Sequence, residues 1–161
     1  MRILSIDPGL SGAWAVIDTE TGIRDCNDLP VAGLKADRRV TAPLLRNIVV
    51  NFKPDMAVVE QASAMPKQGV SSMFRYGQAY GCILGVIGAC DVPMTLVRPN
   101  LWKKHFNLAG GDKEAARNRA IALAPECASA LARKKDHQRA EALLIGLWFV
   151  DRRERMREAA E

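Results

Sequence analysis

Three β-forming runs joined by tight polar turns open the chain, and from there helical and strand-like runs alternate. That order leaves few ways to build a sheet. "RILSI" is apolar and stops at the turn signal "DPG"; "GAWAVID" follows, and after "TETG" the run "IRDCNDL" reads as a third strand at an edge. Connections this short join antiparallel neighbours. "VTAPLLRNIVVNF" then carries apolar residues at helical spacing, with Thr41 a candidate N-cap ahead of Pro43. "KPDMAVVE" and "VPMTLVRP" read as buried strands, separated by a long helix predicted from about residue 71 through "MFRYGQAYGCILGVIGAC". Gly77, Gly81 and Gly85 recur along that helix, a stripe that suits tight packing in the core, with a contact between copies as the other reading. "NLWKKHF", "EAARNRAIALA" and a last helix from about Asp136 complete the chain. The expected architecture is α/β, a mixed five-stranded sheet flanked by helices.

At 161 residues the chain is long enough for one domain with a real core, and residues 1–161 are read as one, with 152–161 a charged helix end or tail. Hydrophobic residues at 48% and charged residues at 25% describe an ordinary globular protein. No apolar run approaches the roughly 18 residues of a membrane span, and "MRILSID" enters a strand with no signal-peptide pattern, so a cytoplasmic protein is expected. Cys26, Cys82, Cys90 and Cys127 are scattered without CxxC spacing, which fits reduced thiols and excludes a zinc finger. The net charge of +5 is uneven. Residues 1–99 hold ten Lys and Arg against nine Asp and Glu, whereas residues 100–161 hold thirteen against nine. A basic C-terminal part suits a polyanionic partner.

Two acids stand where strands end: Asp7 closes "RILSI" and Glu60 closes "AVV". If those strands are neighbours, both carboxylates overhang one edge, the place where open α/β sheets put ligands. Two like charges held together repel unless a cation or proton intervenes. In "KKDHQRAEALLIGLW", His137 and Glu141 stand one helical turn apart, just ahead of the leucines that bury the last helix. Three carboxylates and one imidazole make an oxygen-rich, sulfur-free set that suits Mg²⁺ or Mn²⁺ better than zinc. Taken singly, Asp7 reads more readily as a turn residue, Glu60 as a helix cap or an arginine's partner, and His137 as a cap or solvated residue; Asp136 reads as an N-cap.

"SIDPGLSGAWAVID", "VVEQASAMPKQGVSSMFRYGQAYG", "RPNLWKKHFNLAGGDKEAARNRAIAL" and "RKKDHQRAEALLIG" together resemble the RuvC-type Holliday junction resolvases. The resemblance is to the branch of phages and bacterial genomes that includes the monokaryotic chloroplast resolvase of plants, and it covers roughly residues 1–150. It implies an RNase H-like homodimer in a bacterial cell, chromosomal or phage-encoded. It also implies two Mg²⁺ ions per active site, with Mn²⁺ as substitute, and paired symmetric nicks in four-way junction DNA. By position, Asp7, Glu60, His137 and Glu141 are implied as catalytic and metal-binding. Asp7 would bridge both ions, Glu60 and Glu141 would hold one each, and His137 would be a ligand or the group that positions the attacking water. The classical enzymes carry their last two ligands three residues apart; Gln138 occupies that position here, so the HxxxE spacing follows the chloroplast-like branch.

The DNA-binding expectation rests on Lys103 and Lys104 of "WKKHF", Lys113 at a helix start, and Lys134 and Lys135 beside the last helix. In "KQGVSSMFR", Lys67 is a further phosphate contact, Met73 or Phe74 would stack at unpaired bases, and Gln68 or Arg75 would read one. Phe74 reads equally as core. Two alternatives stand beside the resolvase: an RNase H-like nuclease acting on RNA–DNA hybrids or RNA, and a junction-binding module without catalysis.

Overall fold

The computed structural model describes residues 1–63, 69–108 and 112–160, with the side chains of Arg24 and Ala36 outside that description. Strands β1 (Arg2–Asp7), β2 (Ala13–Asp18) and β3 (Gly22–Asp28) form the antiparallel meander that the short turns dictate. The first turn depends on Gly12, where any Cβ would collide with the carbonyl oxygen of Asp7. A small ribbon of β4 (Val31–Ala32) and β5 (Arg39–Val40) follows; strands of two residues carry no alternation by which to read them in sequence. Helix α1 (Ala42–Phe52) leads into β6 (Met56–Glu60), which lies parallel to β1, and α2 (Val70–Ala89) leads into β7 (Met94–Val97), parallel to β6. The resulting five-stranded mixed sheet has the order β3-β2-β1-β6-β7.

Alternation along β1 sorts the core into two layers. Leu4 and Ile6 join Leu45 and Val49 of α1 and Ile83 and Ile87 of α2 on one face. On the other face Ile3 and Val58 pack with α3 (Pro99–His105), α4 (Lys113–Leu123) and α5 (His137–Glu158). Helix α5 buries Ala142–Gly146 against the sheet, and its last turns from Arg152 onward are exposed. Among the described residues no helix is long and apolar enough to cross a membrane.

Four readings need correction. The segment "VPMTLVRP" is no buried strand: β7 is a sheet edge with Met94 and Leu96 37% and 44% exposed. The apolar run shows β propensity but not whether a further strand or helix covers it. The glycine stripe is not packed in the core, since a Cβ at Gly77, Gly81 or Gly85 would meet nothing within 4 Å. Phe74 is not core either, being 67% exposed on the same helix. Thr41 sits at the N-cap of α1, but its side chain makes no capping bond.

Candidate active site

The geometry of the site follows from strand register. Ser5 pairs with Val58 and Ile6 with Val59, so one step further Asp7 and Glu60 end two parallel neighbours side by side. Adjacent strands lie about 4.8 Å apart, and both acids share the face of Ile3 and Val58 that α5 covers. α5 is held close there by Gly146, whose α-carbon leaves no room for a side chain against Ser5 and Ile17. Near its start, Arg139 forms a bidentate pair with Asp28 at the end of β3, at 2.6 and 2.8 Å. Two residues on, Glu141 projects to the other side of the helix, toward Asp7.

The electrostatics agree with that geometry. Asp7 is buried, and burial first, then the charges of Glu141 and Glu60, hold its carboxyl well above the usual range; Lys103 and Lys113 pull it back. Burial also raises Glu60, against a hydrogen bond from Trp102 and the charge of Lys103. Tyr76 of α2, whose ring lies 3.5 Å from where a Cβ of Gly9 would stand, faces the same acids; burial and the charges of Asp7 and Glu60 push its phenol up to about 12. A buried carboxyl raised by the charges of two neighbouring carboxylates marks a site whose charge a divalent cation would neutralise. The donor set therefore fits Mg²⁺ or Mn²⁺. Among the described residues, no three His, Cys, Asp or Glu side chains already close around a single ion.

His137 stands one helical turn before Glu141 on α5. It lines a groove of about 530 Å³ with Leu10, Ser11, Asp28 and Lys135, and no hydrogen bond or ion pair joins it to the acids among the described residues. Glu60 instead lines a cleft of about 680 Å³ with Ser72, Met73, Tyr76 and Lys103. Phe74 and Arg75 turn away from that cleft into a third groove of about 710 Å³ beside Arg38 and Arg39. Residues of the helical segment expected to meet DNA thus line two different grooves, Met73 the one and Phe74 and Arg75 the other. Lys104, Lys113, Lys134 and Lys135 are exposed, while Lys103 is half-buried with its ammonium 5.0 Å over the Trp102 ring. Lys67 and Gln68 lie outside the described residues. Asp136 occupies the N-cap position of α5 without capping it; its carboxylate accepts from the Arg133 backbone and guanidinium at 2.8 and 2.7 Å.

Tyr76 and Trp102 are the groups that sequence reasoning passed over. Both stand inside family-like motifs, but only the fold turns them toward Asp7 and Glu60, and residue type alone carried no signal of it.

No protein-family model matches the chain. It is 31% identical to a crossover junction endodeoxyribonuclease RuvC of Rhizobium rhizogenes over 171 aligned positions, covering 99% of this chain and 96% of that one. Its backbone is similar to that of the RuvC of T. thermophilus solved in complex with a Holliday junction substrate, with a TM-score of 0.64 at 17% identity over 92% of this chain and 91% of that one. The yeast mitochondrial Holliday junction resolvase gives a TM-score of 0.58 at 15% identity, covering 91% and 76%. The five-stranded sheet with its flanking helices is thus the RNase H-like fold, and the chain belongs to the RuvC family of crossover junction endodeoxyribonucleases.

Proposed function

We infer that the protein is a structure-selective, metal-dependent endonuclease that resolves four-way DNA junctions by paired nicks. The observation that carries this reading is the convergence of Asp7, Glu60 and Glu141 at one sheet edge in a chain of this family. A phosphodiester repels nucleophiles through its own negative charge. Divalent cations held by these acids would supply water activation and stabilisation of the leaving oxygen. Asp7, Glu60 and Glu141 would hold the ions, Asp7 as the acid whose carboxyl both others reach with their charge. Lys103 and Lys113, whose charges already reach Asp7, would neutralise phosphate oxygens at the cleft. His137, from its adjoining groove, would orient the attacking water by a ring nitrogen. Attack breaks the bond between phosphorus and the 3′-oxygen, leaving a 5′-phosphate and a 3′-hydroxyl that a ligase can seal.

Two symmetric nicks require two such sites. The exposed face of α2 suits a second copy: Val70, Phe74, Gly77, Gly81 and Gly85 recur three to four residues apart, and the glycines allow two helices to approach closely.

The test is nicking in Mg²⁺ of junction, flap and RNA–DNA hybrid substrates. Junctions are expected to be cut in preference, and Asp7→Asn to abolish cutting while still binding the junction. Preferential cutting of hybrids would transfer the site to an RNase-type activity; wild-type nicking by Asp7→Asn would remove Asp7 from the chemistry.

A further inference from the structure

Of the three acids, one is held by another side chain. The indole Nε1–H of Trp102 donates to Glu60 Oε2 at 2.7 Å, a short, charge-assisted bond. Among the described residues no hydrogen bond reaches the carboxylates of Asp7 or Glu141, and none reaches Glu60 Oε1. Trp102 is an unusually fixed donor. Its ring is 0% exposed, packed in the same core as Val58, Val97 and Leu143, and the Lys103 ammonium lies over one face. Phenylalanine or leucine would fill that core without a donor. A buried indole N–H left unpaired is costly, so Trp102 and Glu60 hold each other.

The consequence concerns Glu60 more than stability. Glu60 ends β6 on a side chain with three rotatable bonds, beside an open cleft and two other acids that repel it. Left free, its carboxylate would swing between the cleft and solvent and could offer a cation one oxygen or two. With one lone pair of Oε2 committed to the indole, the carboxylate's rotation is restricted and Oε1 is the oxygen left with both lone pairs open.

We propose that Trp102 is a positioning residue that fixes the Glu60 carboxylate, so that Glu60 presents a single oxygen to the divalent ion at the cleft. The proposal deepens the reading of Glu60 as a metal-binding acid and rests on it. Trp102 touches no reacting atom; it acts through Glu60. By sequence it is one more core aromatic beside a more conspicuous lysine. The tertiary contact separates the two: Lys103 faces the substrate's charge, and Trp102 the enzyme's own.

Two measurements test this. The first needs neither metal nor substrate. Trp14, Trp102 and Trp148 give three indole resonances in a ¹⁵N-labelled protein, and Trp102→Phe identifies the second. The Trp102 indole proton is expected far downfield and slow to exchange, and Glu60→Ala should move it upfield and speed its exchange. An unchanged resonance in Glu60→Ala overturns the proposal, whatever that variant does to nicking. The second measurement is Mn²⁺ binding, read from free Mn²⁺ by electron paramagnetic resonance, on Trp102→Phe with its fold checked by thermal melting. The dissociation constant should rise roughly 10- to 100-fold, the range seen when a ligand's supporting hydrogen bond is removed. Junction affinity in Ca²⁺ should stay unchanged. Wild-type Mn²⁺ affinity in a folded Trp102→Phe also overturns it. If the wild-type protein shows both signatures but cuts no junction, the nuclease reading falls while the positioning contact stands.

Discussion

Asp7 is the residue on which the proposed site turns, and its burial beside two other acids comes at a cost to the fold. Burial and two neighbouring carboxylates favour its protonated form, so the metal-free protein binds this proton more tightly folded than unfolded. For an acid raised in this way, the stabilising contribution is present below the unfolded value and is lost as pH rises through the folded one. Each unit between the two values is worth about 1.4 kcal/mol. The metal-free wild type should therefore lose thermal stability as pH climbs from about 4 toward neutrality. Asp7→Asn should melt higher than wild type at neutral pH in chelator, with the gap closing near pH 4. A melting temperature for Asp7→Asn equal to or below wild type at neutral pH would show that the like-charge strain is absent. Divalent metal should narrow the same gap by relieving repulsion in the wild type only.

At the scale of elements, the decisive contact is α5 on the sheet. The helix carries Glu141 five residues before Gly146, and Gly146 sets how close the helix lies to Ser5 and Ile17. An added methyl group there would stand 2.7 Å from Ser5 Oγ and 2.6 Å from Ile17 Cδ1. The isoleucine end can move, but Ser5 is held in β1 with its hydroxyl donating to the Ala15 carbonyl. Gly146→Ala should thus destabilise by about 1–3 kcal/mol in urea unfolding, the usual range for overpacking. It should also depress nicking by more than the folded fraction explains, because lifting α5 carries Glu141 away from Asp7. Nicking that merely tracks the folded fraction would mean the depth of α5 does not matter to the chemistry. Helix α2 presents the opposite case. Its glycines face open space, so they give the isolated helix no packing and lower its propensity. If two copies meet on α2 as proposed, Gly81→Leu should leave the monomer folded yet lower the mass read by light scattering from that of a dimer; a variant that keeps a dimer's mass would place the contact elsewhere, and a wild type with a monomer's mass would remove the second copy.

For the whole molecule, the acidic edge is faced by cations from separate elements, Lys103 on α3 and Lys113 on α4, while Lys135 lines the groove of His137. A polyanion can be drawn to such a rim even though the centre repels it. Replacing Lys103 and Lys104 with alanine should weaken junction binding and flatten its dependence on salt by about 0.9 in log–log slope for each phosphate no longer neutralised. An unchanged slope would assign both lysines to packing or to the acids alone.

Much of this was legible before any fold was known. The acids at the ends of β1 and β6, the HxxxE pair and the strand–helix order are local patterns, set by hydrophobic period and turn chemistry, and these act within a few residues. Patterning also identified "MTLV" and the α2 segment correctly as strand and helix. It could not say that β7 has no outer neighbour or that the glycine stripe faces outward, since coverage is a property of what other segments do. Tertiary structure alone set His137 in a groove with Leu10 and Asp28, divided Met73 and Tyr76 from Phe74 and Arg75 between two grooves, and brought Trp102 to Glu60 across 42 positions of chain. The physical reason is the same in each case. Local free energies choose the elements, but a hydrogen bond or a repulsion between distant side chains exists only once packing has fixed the distance between them.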